Sequence, residues 1–194
     1  ALAAIFLPLS CTLPVSCFDG IDGRVTVMTW NAQTFFDATE DGSEFDEFRG
    51  PKSSWSEEKY LDRLDRLCDA IVLCGKEIGM ESGAGPDIVV LEEIENARVI
   101  RDVCNRLPQR STYRHASFVP PVGGSPFGCA ILSRYPVLRV NAHSVEGGNL
   151  SLRPILEAVL SVDGVELTVF AVHLKSKANG EGGLDEKARR AQET

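Results

Sequence analysis

The chain has 194 residues, 43% hydrophobic and 25% charged, the make-up of a globular protein with one sizeable core rather than a disordered or fibrous chain. Its net charge of −8 is uneven: residues 1–86 carry 7 Lys+Arg against 15 Asp+Glu, and residues 87–194 carry 13 of each. That balance excludes a protein that grips nucleic acid through bulk positive charge, and six cysteines without a Cys-x-x-Cys pair argue against a zinc site.

Residues 1–17 are apolar and uncharged, like the hydrophobic part of a secretory signal without its basic start. Leu-Pro-x-Ser-Cys occurs twice, ending at Cys11 and Cys17. A small residue before Cys resembles a bacterial lipoprotein signal, although Pro8 and Pro14 stand where an aliphatic residue is usual. The expectation is a leader over 1–18, a domain over 19–194, and an exported protein that is periplasmic, extracellular or membrane-anchored through lipid on Cys11 or Cys17. The plain alternative is a signal segment without lipid; the run is too short for a membrane span.

Arg24–Trp30 reads as a strand apolar on both faces and ends in Asn31. Residues 37–52 are acidic and aperiodic, which predicts a solvated insertion. Ser54-Trp-Ser-Glu57 fits a capping box, and Leu61, Leu64, Cys68, Ile71 and Ile78 recur at helical spacing. Gly79, Gly83, Gly85 and Pro86 end that helix. Asp87–Leu91 is a short buried strand leading into Glu92-Glu93. A helix over 97–107 follows, then strands over 113–119, 127–133 and 137–145. Arg153–Val162 and Val165–Val172 form a hairpin across Asp163-Gly164. It delivers His173, followed by Lys175, Ser176 and Lys177; a last helix opens at Asp185. Cys68, Cys74 and Cys104 on helical patterns, and Cys129 in a strand pattern, read as buried free thiols.

Asn31, Glu93, Arg153 and His173 all lie at or beside the ends of apolar runs. Carboxylate and carboxamide oxygens are hard ligands for Mg²⁺, Mn²⁺ or Ca²⁺. Guanidinium forks onto phosphate oxygens, and imidazole donates a hydrogen bond or moves a proton near neutral pH. Together these are the parts of metal-assisted phosphoester hydrolysis. The bland reading of His173 is a strand-end histidine before a solvated Lys-Ser-Lys turn.

Four blocks, in order, resemble the endonuclease/exonuclease/phosphatase (deoxyribonuclease I-like) superfamily: Thr29-Trp30-Asn31, Asp87–Ile94, Gly128–Pro136, and Arg153–Ala158 with Leu167–Lys177. The resemblance runs from Arg24 to Thr194. It implies an α/β (α+β) fold, a layered sandwich of two mixed β-sheets flanked by helices with the site at one edge. It also implies a divalent metal, Mg²⁺ foremost with Mn²⁺ or Ca²⁺ as alternatives, on Glu93 and beside Asn31. His173 matches the active-site histidine and Arg153 a phosphate-contacting arginine. The expected substrate is a phosphoester: nucleic acid, a phosphoinositide or phospholipid head group, or a small phosphoester; a monomer is expected.

Two departures qualify the resemblance. Glu92 stands in place of the usual glutamine, and strand alternation would turn it away from Glu93. The family's later Gly-Asp-x-Asn and Ser-Asp-His blocks do not occur, and His115 and His143 stand in a different context. The expectation is therefore the N-terminal part of a domain, truncated at the C-terminus and inactive by itself, from a parent that is a Mg²⁺-dependent phosphoesterase. The competing reading is a non-catalytic exported binding or surface protein that keeps the fold.

Overall fold

The computed structural model describes residues 23–111, 113–121, 125–144, 146–147, 150–151 and 153–174. The leader, the Lys175-Ser176-Lys177 turn and the helix expected from Asp185 lie outside the described residues.

Among the described residues, a four-stranded sheet, a three-stranded sheet, a short two-stranded hairpin and two α-helices make the fold. The elements are β1 (Val27–Phe35), α1 (Glu57–Glu77), β2 (Ile88–Ile94), α2 (Ala97–Arg106), β3 (His115–Val119), β4 (Gly128–Ser133), β5 (Val137–His143), the short hairpin β6 (Glu146–Gly147) and β7 (Leu150–Ser151), β8 (Ile155–Val162) and β9 (Val165–Ala171). The first sheet has the order β1-β2-β4-β3, and the second β5-β8-β9. β1 and β2 run parallel, joined by the α1 crossover, and the other pairs of the first sheet are antiparallel. The first sheet is therefore mixed, whereas the described strands of the second are all antiparallel.

Alternation along β2 explains the layering. Val89 and Leu91 face a core shared with Tyr60, Leu64, Cys68 and Ile71 of α1 and Val99 and Val103 of α2. Ile88 and Val90 face the opposite way and pack with Ile131, Leu156, Ala158, Leu160 and Ala171 between the sheets. A strand buried on both faces must be apolar throughout, as this run is. Its entry is pinned by Asp87, whose carboxylate accepts the Thr26 N–H at 2.9 Å and the Thr26 hydroxyl at 2.6 Å.

Three local readings need correction. α1 is capped by Ser56, which accepts the Lys59 N–H, and not by a box opening at Ser54. Its buried stripe runs Tyr60, Leu64, Leu67, Cys68, Ile71, Cys74 and Gly75, and leaves Leu61 exposed. The acidic loop is solvated over most of its length, but it is anchored, with Asp37 and Glu44 buried. Phe36 is completely buried, with Phe45, Phe48 and Phe127 around it at centroid distances of 5.6, 4.8 and 4.8 Å. Trp55 packs on Phe48 and donates its indole N–H to the Asp37 carbonyl at 2.7 Å. The rings supply the burial that the loop's acidic composition hides. The four described cysteines are free, as expected.

Gly75 lets α1 touch the loop before β2: a Cβ there would lie 1.8 Å from the Ala84 carbonyl oxygen. Alanine in a helix interior normally gains about 1 kcal/mol over glycine, but forced overpacking costs about 1–3 kcal/mol. We expect Gly75→Ala to be destabilising in urea unfolding, against a gain for Glu77→Ala on the same helix; a stabilised Gly75→Ala would contradict this packing.

Candidate active site

The parallel pairing of β1 with β2 carries Asn31 and Glu93 to one edge of the first sheet. In the second sheet, Leu156 pairs with Ala171, so the residues just before β8 and just after β9 emerge together. Arg153 precedes β8 and His173 follows β9, and the two sheets bring both to Glu93. His173 Nε2 lies 3.2 Å from Glu93 Oε1, and Arg153 Nη1 lies 3.3 Å from His173 Nε2. Asn31 Nδ2 donates to Glu93 Oε1 at 3.0 Å. All four side chains singled out in the sequence thus meet in one cluster.

Glu93 reaches this cluster through a bulge. Its φ is +59°, and the ladders on both sides of β2 slip next to it, between Glu92 and Ile94 on β4 and between Asn31 and Phe35 on β1. A bulge re-aims a side chain and suspends strand alternation. Glu92 is accordingly not isolated on an opposite face: it senses the charges of His173, Glu93 and Arg153. The two carboxylates are driven apart in acidity. Burial pushes Glu92 up. Hydrogen bonding to His173 first, then to Asn31 and the Thr34 N–H, holds Glu93 down at about 2 against the opposing effect of burial.

One ring nitrogen cannot both donate to Glu93 and accept from Arg153. Arg153 Nη1 also donates to the Leu174 carbonyl at 3.0 Å, and because an ionised carboxylate only accepts, the contact with Glu93 assigns the proton to His173 Nε2. His173 Nδ1 is buried and has no hydrogen-bond partner among the described residues.

Two supporting groups are silent in the motifs. Thr34 donates its N–H to Glu93 Oε2 at 2.7 Å, from a β1 turn in which Gln33 and Thr34 have φ of +56° and +54°. Asn31 Oδ1 accepts the Gln33 N–H at 2.8 Å inside the same turn. Arg63 of α1 clamps that turn from below, donating to the carbonyls of Thr34 at 3.1 Å, of Ala32 at 2.8 Å, and of Gln33. Its guanidinium lies over the Phe35 ring at 4.9 Å, and burial lowers its pKa. The available signal was an arginine at helical spacing between Tyr60 and Leu67, inside the core-facing stripe. An open groove of about 450 Å³ adjoins Asn31, bordered by Trp30, Gln33, Trp55, Lys59 and Arg63.

The model of the Endonuclease/Exonuclease/phosphatase family matches residues 28–193. The chain belongs to this family. Among solved structures, SmcL is 16% identical with a TM-score of 0.51, over 84% of this chain and 52% of that one, and shares the fold. TDP2 from Caenorhabditis elegans (18% identity, TM-score 0.49, 82% of this chain and 38% of that one) and sphingomyelinase C from Streptomyces griseocarneus (20%, 0.49, 86% and 55%) are further similar structures. This family member spans about half the length, or less, of those structures. No curated protein matches it. Membership places it in a superfamily of phosphoester hydrolases, and the two-sheet sandwich is the deoxyribonuclease I-like fold.

A second group of carboxylates, Asp41, Glu44 and Glu95, lies on the acidic loop and just beyond β2. Burial raises Glu95 to about 7, assisted by the charges of Asp37, Asp41 and Glu44 and opposed by the Asp37 N–H. No motif pointed to it, because Glu95 lies far along the chain from Asp41 and Glu44.

Two outcomes test this geometry. Arg63→Met should lower unfolding free energy by about 2 kcal/mol, the worth of charge-assisted hydrogen bonds, and Arg63→Lys should recover only part, because an ammonium cannot fork across three carbonyls. Glu93's folded value of about 2 lies below its ordinary 4.5, so the stability it adds is present above about pH 4.5 and is lost as pH falls toward 2. Glu93→Gln should flatten the fall of Tm in that window, and an unchanged slope would show that Glu93 is not held down.

Proposed function

We propose that this chain carries the metal-binding and phosphate-binding half of a divalent-metal-dependent phosphoesterase, with Glu93 as the main ligand for Mg²⁺. The observation that supports it best is the convergence of Glu93, Asn31, His173 and Arg153 from the two sheets onto one edge.

The donor chemistry fits the ion. Mg²⁺ is commonly held by one or two carboxylates, with water and substrate phosphate completing its sphere, and Glu93 is a carboxylate kept ionised by three donors. Asn31 orients Glu93 through its Nδ2, while its oxygen is engaged by Gln33 and could reach the ion only through the remaining lone pair. When bound, Mg²⁺ supplies electrostatic stabilisation of charge on a phosphoryl oxygen.

The chain's own residues account for the rest. His173 presents Nε2–H at the position where Glu93 stands, and a phosphoryl oxygen arriving beside Glu93 takes that hydrogen bond. Arg153, tethered to the Leu174 carbonyl, adds a second cationic donor to the same oxygen. Arg63 and Thr34 keep Glu93 from relaxing. Lys59 on the neighbouring groove suits a further anionic part of the substrate. The net charge of −8 favours a lipid head group or small phosphoester over duplex DNA. The apolar residues 1–17 support export of the parent.

In the full-length protein, Glu93→Ala should abolish Mg²⁺-dependent phosphodiester hydrolysis with the unfolding transition intact. His173→Ala should cost about 10²- to 10⁴-fold in turnover, and Glu92→Gln should keep activity. Wild-type turnover in Glu93→Ala, or turnover indifferent to a chelator, would remove this reading.

A further inference from the structure

Away from Glu93, three carboxylates crowd together. One oxygen each from Asp41, Glu44 and Glu95 lies within 4.8 Å of the others. Glu44 and Glu95 are only 5% and 4% exposed; Asp41 sits at the mouth. The arginines nearby form their ion pairs elsewhere, Arg49 with Asp46 and Arg98 with Asp37 and Asp102, although Arg49 is near enough to feel the Glu44 charge. Among the described residues no lysine or arginine pairs with the three.

The hydrogen bonds of the cluster leave one buried oxygen over. Glu44 accepts the Asp41 N–H at 2.6 Å and the Gly42 N–H at 2.9 Å. Asp41 Oδ1 accepts the Ser43 N–H at 2.9 Å. Glu95 Oε2 accepts the Asp37 N–H at 2.6 Å. Glu95 Oε1 is buried and has no hydrogen-bond partner among the described residues. An unpartnered oxygen in a buried group of like charges is costly unless a counter-charge meets it.

We propose that Asp41, Glu44 and Glu95 form a second divalent-cation site, of the calcium type, distinct from Glu93. Ca²⁺ binds oxygens at 2.3–2.6 Å, so two oxygens on one ion can be no farther apart than about 5 Å, and the cluster meets that limit. The ligands are all hard carboxylate oxygens with no nitrogen or sulfur, which disfavours zinc and copper. An irregular loop that bends toward the ion suits the flexible sphere of Ca²⁺ better than the strict octahedron of Mg²⁺. The ion would tie the loop that follows Phe36 to the exit of β2, where the Glu95 N–H already meets the Phe35 carbonyl at 3.2 Å. Its role is to brace that exit, two residues after Glu93, and it takes no part in the chemistry there.

Calcium binding to the full-length, chelator-stripped protein tests the site without any assay of activity. Calorimetry with CaCl₂ should show a site that persists in Glu93→Gln. At about 100-fold excess over Kd, Ca²⁺ should raise Tm by about 5 °C. Asp41→Asn, an exposed change, should weaken Ca²⁺ at least tenfold while leaving the calcium-free Tm unchanged; Glu44→Gln should weaken it further. Circular dichroism without calcium shows whether Glu44→Gln folds, and if it does not, Asp41→Asn still decides. No calcium heat or Tm shift in Glu93→Gln, or an affinity untouched by Asp41→Asn, would overturn the site and leave Glu95 with a proton in place of a cation. Neither result bears on Glu93, whose reading stands or falls on hydrolysis.

Discussion

The edge of the sandwich depends on holding one carboxylate in a backbone conformation that its residue type does not favour. Glu93 sits at φ +59°, a region in which a non-glycine residue carries about 1–3 kcal/mol of strain. The surrounding donors make that conformation the stable one. Asn31 and Thr34 bond to the two oxygens and His173 closes from the second sheet. The Thr34 turn is itself left-handed, and Arg63 fastens its carbonyls. Strain on two strands is thus met by one half-buried guanidinium and one imidazole. A carboxylate fixed in this way has little freedom left to reorganise.

The same arrangement separates two adjacent glutamates electrostatically. Glu92 gains little from donors and is pushed up by burial, whereas Glu93 is pulled down by them. The physical difference is local: Glu92 remains in the regular ladder opposite Cys129, and Glu93 has left it. Neighbouring carboxyls of opposite tendency are the pattern by which one fold keeps a single ionised ligand at neutral pH.

The loop after β1 combines apolar anchoring with acidic groups. Phe36, Phe45 and Phe48 bury it against Phe127, and Trp55 ties it to the start of α1. Because the loop is anchored, Glu44 is carried into the interior and meets Glu95 there. Glu40, Asp41, Asp46 and Glu47 stay exposed, as an acidic loop suggests, while Asp37 and Glu44 are carried inside.

Much of this protein was legible in the order of its residues. Continuous apolar runs set β2 and β4, because strands buried on both faces have no polar positions to alternate with. Asp163-Gly164 set the β8–β9 hairpin, because a tight turn needs residues that tolerate left-handed backbone. Asn31, Glu93, Arg153 and His173 were visible because each follows or precedes such a run. The tertiary structure alone decided that they meet, since the two sheets are joined by packing and not by adjacency in the chain. It alone placed Thr34 and Arg63 beneath Glu93, aimed Glu93 into the cluster from a bulge, and buried Glu44 of the acidic loop. A bulge and a left-handed turn carry no periodic signal, and a hydrogen bond across 59 residues is fixed only when the core has closed.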